Sequence, residues 1–155
     1  MEYKTSYNSI LGQLIIRSDG ESITGLCFSK ARVDDDELDL FQKVKDWLDA
    51  YFKGEDLEID FPIKLNGTSF QLKVWNEVSK IQYGSTVSYK QLAQSLNSKA
   101  YRAIGQAVKR NPILIIVPCH RVIKNNGEIG GFIAGSRIKK ELLDLEAKNL
   151  QSCKE

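Results

Sequence analysis

One histidine, three cysteines and three prolines are all that this 155-residue chain has of those residue types. The cysteines, Cys27, Cys119 and Cys153, are odd in number and far apart, so neither a disulfide framework nor a paired metal or redox motif can be read from them. With His120 as the sole imidazole, a zinc site of the usual ligand set is not expected, and no other cofactor is implied. No apolar run is long enough to span a bilayer, so no membrane partner is expected. The opening Met1-Glu2-Tyr3-Lys4 does not read as a secretory signal, and the expectation is a cytoplasmic protein with free thiols. Internal repeats, low-complexity tracts, a phosphate-cradling glycine loop and a Ser-His-Asp arrangement are also missing.

What is there suits one domain or two small ones, with 42% hydrophobic and 27% charged residues. The net charge of +2 conceals a division. Residues 1–60 hold 7 Lys+Arg against 14 Asp+Glu, whereas residues 61–155 hold 15 against 6. A basic half joined to an acidic half points to a polyanion as partner of the second half alone. The bland reading, in which lysines merely solvate helix faces, competes with it.

Residues 9–17 and 23–28 read as a hairpin around Ser18-Asp19-Gly20. Asp34 to Phe52 reads as a helix, from the spacing of Leu38, Phe41, Val44, Leu48 and Tyr51, with Asp34–Glu37 in its first turn and Gly54 ending it. Cys27, in an apolar strand, is expected to be structural. Residues 57–66 read as a linker with a short strand, which Pro62 keeps from the middle of a sheet. Two capping boxes follow, Thr68-Ser69-Phe70-Gln71 and Ser88-Tyr89-Lys90-Gln91. The first opens a helix bearing Phe70, Val74 and Val78 and ending near Ile81. The second opens a short helix through Leu92 and Leu96.

A further helix is expected over 99–110, with Ala100, Ala103, Ile104 and Ala107 spaced for packing, and Asn111-Pro112 stops it. Two short helices joined by a polar turn form a candidate helix-turn-helix. Lys99, Arg102, Lys109 and Arg110 stand among small residues on its second member. After a glycine-rich loop (Gly127, Gly130, Gly131, Gly135), a last helix is expected from Ser136 towards Leu150, with Ile138, Leu142 and Leu145 facing the core. Cys153 is expected to be exposed in a polar tail.

The chain's chemistry concentrates at residues 113–123. Five apolar residues lead inward, Pro118 breaks regular pairing, and Cys119 and His120 follow side by side. A thiol beside an imidazole supplies the parts of an activated nucleophile. The alternative is that Cys119 is a small core residue. Arg121, an expensive neighbour in a dry core, and the turn at Asn125-Asn126-Gly127 favour the nucleophile. The geometry carries a difficulty, because adjacent side chains on a straight strand point to opposite faces. The chain must turn at Pro118, or a water or a third group must connect the two.

These residues resemble the O6-alkylguanine-DNA alkyltransferases, also called methylated-DNA–protein-cysteine methyltransferases. Pro118-Cys119-His120-Arg121-Val122 is similar to that family's active-site motif. Gly67-Thr68 with Phe70-Gln71 and Val74-Trp75, Gly84 with Ser88-Tyr89, Arg102-Ala103-Ile104-Gly105 and Asn111-Pro112 resemble its other motifs in order. The likeness is dense from Gly67 to Glu146 and looser over the N-terminal hairpin. It implies an α+β protein: a small N-terminal sheet-plus-helix, ribonuclease H-like domain at 1–63, and a mostly helical C-terminal domain with a winged helix-turn-helix at 64–155.

The implied activity is single-turnover transfer of an alkyl group from O6-alkylguanine in double-stranded DNA, with O4-alkylthymine as a further possible substrate, to Cys119. A monomer is expected, with cooperative binding along DNA left open. The resemblance implies that His120 is a base acting through a water and that Glu146 orients it. Asn111 ties the recognition helix to the active-site strand, and Tyr89 aids nucleotide rotation and protonates the leaving guanine. Arg102 fills the gap in the base stack. Ser88, Ala100, Tyr101, Ala103, Gly105 and Arg121 are implied DNA contacts. Val122, Phe132, Ile133 and Ala134 are implied walls of the alkylguanine pocket. Phe132, Ala134, Gln82 and Tyr101 depart from the residues common in the family. Competing readings are a non-catalytic lesion-sensing DNA binder, a thiol-bearing regulator and a cysteine hydrolase.

Overall fold

A computed structural model describes residues 1–154, with the backbone alone for 150–154. The side chain of Cys153 therefore lies outside the described residues. The chain divides into two compact units, residues 1–66 and a second beginning at Gly67.

The first unit is a three-stranded antiparallel meander with one helix: β1 (Tyr3–Ser9), β2 (Gly12–Ser18), β3 (Ile23–Phe28) and α1 (Asp39–Phe52). β2 is central, and its run Leu14-Ile15-Ile16 is buried throughout. β1 was not foreseen as a strand; of residues 9–11, expected in β2, Ser9 ends β1 and Ile10 and Leu11 form the turn between the two. Only Thr5 of β1 is buried, so the strand lacks the apolar alternation that marks one in sequence. β3 holds half-buried Cys27, and beyond it Ile23 pairs in parallel with Ile63. The Ile23 N–H donates to the Pro62 carbonyl at 2.9 Å, so Pro62 needs no N–H at that sheet edge.

The acidic run 34–37 is not helical. Asp35 and Asp36 instead cover the free edge of β1. The Ser6 N–H donates to Asp35 Oδ1 at 2.8 Å and the Lys4 N–H to Asp36 Oδ2 at 2.9 Å. An exposed strand edge carries unpaired N–H groups, and two carboxylates satisfy them better than a helix's first turn would use them. α1 then buries Phe41, Val44, Leu48, Ala50 and Tyr51, and Gly54 closes it at φ 94°.

The second unit holds α2 (Ser69–Val78), β4 (Val87–Ser88), α3 (Tyr89–Ser95), α4 (Tyr101–Lys109), β5 (Val122–Ile123) and α5 (Ser136–Lys154). Both capping boxes form, with Thr68 and Ser88 each accepting from the N–H three residues on. Trp75 is buried and its Nε1 donates to the Ala107 carbonyl at 2.8 Å, fastening α2 to the last turn of α4. Gly67 is required beside it, since a Cβ there would lie 2.6 Å from the Trp75 ring. On α4 only Ile104, Ala107 and Val108 are buried. Ala100 and Ala103, expected to pack, face outward with Tyr101 and Arg102.

Residues 113–117 are not a strand. They form a buried turn in which the Val117 N–H donates to the Ile113 carbonyl at 3.0 Å and Ile115 takes φ 69°. A 3₁₀ turn over Cys119–Arg121 follows, and β5 pairs in parallel with β4. At three residues per turn, neighbouring side chains lie about 120° apart rather than opposed. Cys119 and His120 therefore both stay inside the unit, aimed at different partners. α5 also differs in the face it buries: Leu142 is buried as expected, but Lys139 and Glu146 are buried with it, while Ile138 and Leu145 are half-buried.

Candidate active site

The Cys119 thiol is buried, at 1% exposure. Its Sγ lies 3.1 Å from Asn111 Nδ2, which also donates to the Val117 carbonyl at 2.7 Å. Asn111 Oδ1 accepts from the Ile113 N–H at 2.9 Å. One amide side chain, just beyond the end of α4, thus fixes both ends of the 113–117 turn and touches the sulfur. Burial pushes the Cys119 thiol up to about 11, against the pull of the Asn111 hydrogen bond and the nearby charge of Lys139.

His120 is wholly buried, and its Nε2 lies 2.5 Å from Glu146 Oε2. Its Nδ1 is buried without a hydrogen-bond partner among the described residues. Burial lowers the imidazole's pKa, opposed by Glu146 and assisted by the charges of Arg121 and Lys139. Burial alone would raise the Glu146 carboxyl, but His120 and then Arg121 outweigh it and hold the group down at about 2. Glu146 Oε1 also accepts from Arg121 Nε at 2.7 Å and from the Gly84 N–H at 3.2 Å. A neutral His120 beside an ionised Glu146 carries its proton on Nε2, which leaves the Nδ1 lone pair as the basic atom.

Arg121 corrects one expectation. It is 8% exposed, and its guanidinium is bound to Glu146, to the Ile81 carbonyl at 2.7 Å, and over the Tyr83 ring at 5.6 Å. It braces Glu146 and is not placed to meet a phosphate.

The outward residues converge elsewhere in the unit. Tyr89, Tyr101, Arg102, Gly105, Gln106, Lys109, Lys124, Gly130 and Gly131 line a cleft of about 310 Å³. Tyr89 links cleft and thiol: burial, then the charge that Cys119 can carry, push its phenol above the ordinary value. Ser88 caps α3 through its hydroxyl. Ala100 and Ala103 are exposed on the same helix-turn-helix. Val122 is fully buried at the start of β5. Phe132 and Ala134 are half-buried, and Ile133 is 64% exposed, on the loop that continues from Gly131.

Sequence reading missed Lys139. It is fully buried beneath Val122 and Gly131. The available signal was the spacing of Lys139, Leu142 and Glu146, which puts all three on one helix face.

Residues 69–148 match the 6-O-methylguanine DNA methyltransferase DNA binding domain, and residues 2–65 match the ribonuclease-like domain of that family. The methylated-DNA–protein-cysteine methyltransferase of Haemophilus influenzae is 42% identical over 153 residues, spanning 93% of this chain and 86% of that protein. The crystal structure of Mycobacterium tuberculosis O6-methylguanine methyltransferase superposes with a TM-score of 0.87 at 36% identity, over 96% of this chain and 94% of that one. The same organism's OGT in complex with DNA superposes with a TM-score of 0.85 at 38% identity, over 93% of this chain and 92% of that one. With both family domains matched in order and the Pro118–Val122 motif folded into a buried Cys-Asn and His-Glu cluster, the chain belongs to the 6-O-methylguanine DNA methyltransferase family.

Proposed function

We propose that this protein repairs DNA by direct reversal, moving the alkyl group of O6-alkylguanine irreversibly onto its own Cys119. The observation that carries the reading is a buried thiol held by Asn111, with a neutral His120 paired to an ionised Glu146 behind it and a basic cleft beside it. A thiol at about 11 is almost wholly protonated at neutral pH, so transfer requires a base. His120 Nδ1 fills that role through a bridging water, and Glu146 holds the imidazole in the required tautomer.

In the transfer step the Cys119 sulfur forms a bond to the alkyl carbon. The bond from that carbon to guanine O6 breaks, and its electron pair stays on the base. Tyr89 supplies the proton that the departing guanine needs, and the thiol proton leaves on His120. The thioether product has no good leaving group, so each molecule acts once.

The reacting carbon is out of reach inside a stacked duplex, and the nucleotide must be flipped out at a cost of a few kcal/mol. Arg102, exposed on α4 beside the cleft, fills the vacated stack. Lys109 and Lys124, on the same cleft, meet phosphates. Tyr101, Ala100, Ala103 and Gly105 form the helix face against the groove, and Ser88 sits at the start of α3 behind it. Val122, Phe132, Ile133 and Ala134 bound the flipped base. The presence of Cys119 leaves a purely lesion-sensing role without support.

The test is a two-portion reaction. Protein is mixed with a molar excess of duplex bearing O6-methylguanine, and a second portion of substrate follows. Repair of one lesion per molecule, and none from the second portion, is expected. Repeated turnover, or no repair at all, overturns the reading.

A further inference from the structure

Tyr101 is the only exposed aromatic side chain among the described residues, at 53%. It opens α4, and among the described residues its hydroxyl has no hydrogen-bond partner and its ring no ring partner. The helix holds its unit through Ile104, Ala107 and Val108, so packing does not account for an aromatic at 101. Gly105 follows one turn along and Lys109 one turn further. The three form a single row, about 12 Å long, on the face of α4 that lines the cleft.

Gly105 is the second unexplained feature of that row. Glycine weakens a helix interior relative to alanine. Nothing in the protein's own packing requires it here, since a Cβ at 105 would meet no atom within 4 Å. The row is therefore a notch: bare helix backbone forms its floor, the Tyr101 ring stands at one end and Lys109 at the other. Lys109 leans across the cleft, where a Cβ on Gly131 would lie 3.7 Å from its Cε. The cleft lining carries Arg102, Lys109 and Lys124 and no carboxylate. Glu128, paired with Lys124 at 3.7 Å, stands outside that lining.

An apolar wall, an open floor and a cation in line match one sugar–phosphate unit of a nucleic-acid strand, which offers carbon on the deoxyribose and charge on the phosphate. Neighbouring side chains on a helix project about 100° apart. Tyr101 therefore cannot enter the same gap in a base stack as Arg102, and is directed along its own row.

We propose that Tyr101, Gly105 and Lys109 seat one sugar–phosphate unit of the duplex, with the Tyr101 ring packed on the deoxyribose and Lys109 on the phosphate. The ring contact is apolar, so it adds a part of the binding that salt does not screen. The inference deepens the repair reading and rests on α4 facing duplex DNA. It gives Tyr101 a task separate from that of Arg102.

The experiment follows fluorescence anisotropy of a labelled undamaged duplex over a range of salt concentrations, with the full chain and four variants. Tyr101→Ala is expected to weaken binding about tenfold at every salt concentration and to keep the wild-type salt slope. Tyr101→Phe, which keeps the ring, is expected to restore wild-type binding. Lys109→Ala is expected to lower the salt slope by about one. Gly105→Ala fills the notch: it is expected to raise the thermal unfolding midpoint and yet weaken binding at every salt concentration.

Wild-type affinity in Tyr101→Ala overturns the proposal, as does a loss that flattens the slope or is shared by Tyr101→Phe. An unchanged slope in Lys109→Ala overturns it as well. If Tyr101→Ala does not fold, Gly105→Ala decides, and undiminished binding by that variant overturns the seat. Binding to undamaged DNA needs no chemistry at Cys119. A chain that shows the expected pattern but transfers no methyl group would sink the repair reading and leave the seat standing. Repair by a chain whose binding ignores Tyr101 would do the reverse.

Discussion

His120 Nε2 lies 2.5 Å from Glu146 Oε2, and the same carboxylate accepts from Arg121 and the Gly84 N–H. One buried glutamate therefore orients the imidazole and neutralises a buried guanidinium. Glu146→Gln should damage both functions. Transfer is expected to slow by about 10²-fold or more, the scale of a misplaced general base. Unfolding free energy should drop by about 3 kcal/mol, because Arg121 is left buried without its counter-charge. Transfer assays beside urea unfolding check the two effects separately.

The same pair sets a pH dependence. Glu146 is held at about 2 in the folded chain, against an ordinary value of 4.5. Its contribution, on the order of 3 kcal/mol, is complete above pH 4.5 and is lost as pH falls towards 2. His120 is depressed by burial and acts in the same direction from below its ordinary value of 6.5. Stability measured by urea unfolding should therefore fall in acid, first through protonation of His120 and then of Glu146. In Glu146→Gln the decline below pH 4.5 should be shallower.

Much of this was legible in the sequence, for definite reasons. The capping boxes at Thr68 and Ser88 are local chemistry, complete within four residues, and they formed as read. The Cys119-His120 pair declared itself through residue type. What stayed hidden depended on distant partners. Nothing local in 34–37 says that Asp35 and Asp36 will serve the edge of β1, and nothing in Tyr3–Ser9 looks apolar enough for a strand. Arg121 looked exposed because arginine usually is; its burial depends on Glu146, 25 residues on. Lys139 was passed over because apolar positions alone were used to choose the inward face of α5.

Asn111 joins three parts of the site. Asn111→Ala leaves the Ile113 N–H and the Val117 carbonyl buried without this partner and removes the hydrogen bond to the sulfur. A loss of about 1–3 kcal/mol is expected, chiefly from the stranded Ile113 N–H, because the Val117 carbonyl still accepts from the Cys119 N–H at 2.8 Å. The thiol's pKa should rise further, since that hydrogen bond lowers it. Thermal unfolding and the rate of methylation by methyl iodide at fixed pH measure the two effects.

Arg102 and Tyr101 stand adjacent and exposed on α4, at the mouth of the cleft. Arg102→Ala should slow transfer from duplex DNA at least tenfold while leaving transfer from a free O6-alkylguanine base nearly unchanged. A free base needs no flipping. Equal slowing on both substrates would remove the stack-filling role. Tyr101→Ala should alter duplex binding while the free-base reaction is preserved, and fluorescence anisotropy with undamaged and lesion-bearing duplexes measures it.

The division between chemistry and binding is tested by Cys119→Ala, which should abolish transfer and keep affinity for lesion-bearing duplex within a few-fold. The variant removes one buried sulfur and leaves the cleft residues in place.

The most direct measurement is intact and peptide mass spectrometry of the protein after reaction with a duplex carrying a single O6-methylguanine. One added methyl group per molecule, confined to the peptide containing Cys119, is the predicted result. Tight lesion binding with no added mass, or a methyl group on Cys27 or Cys153 instead, would contradict it.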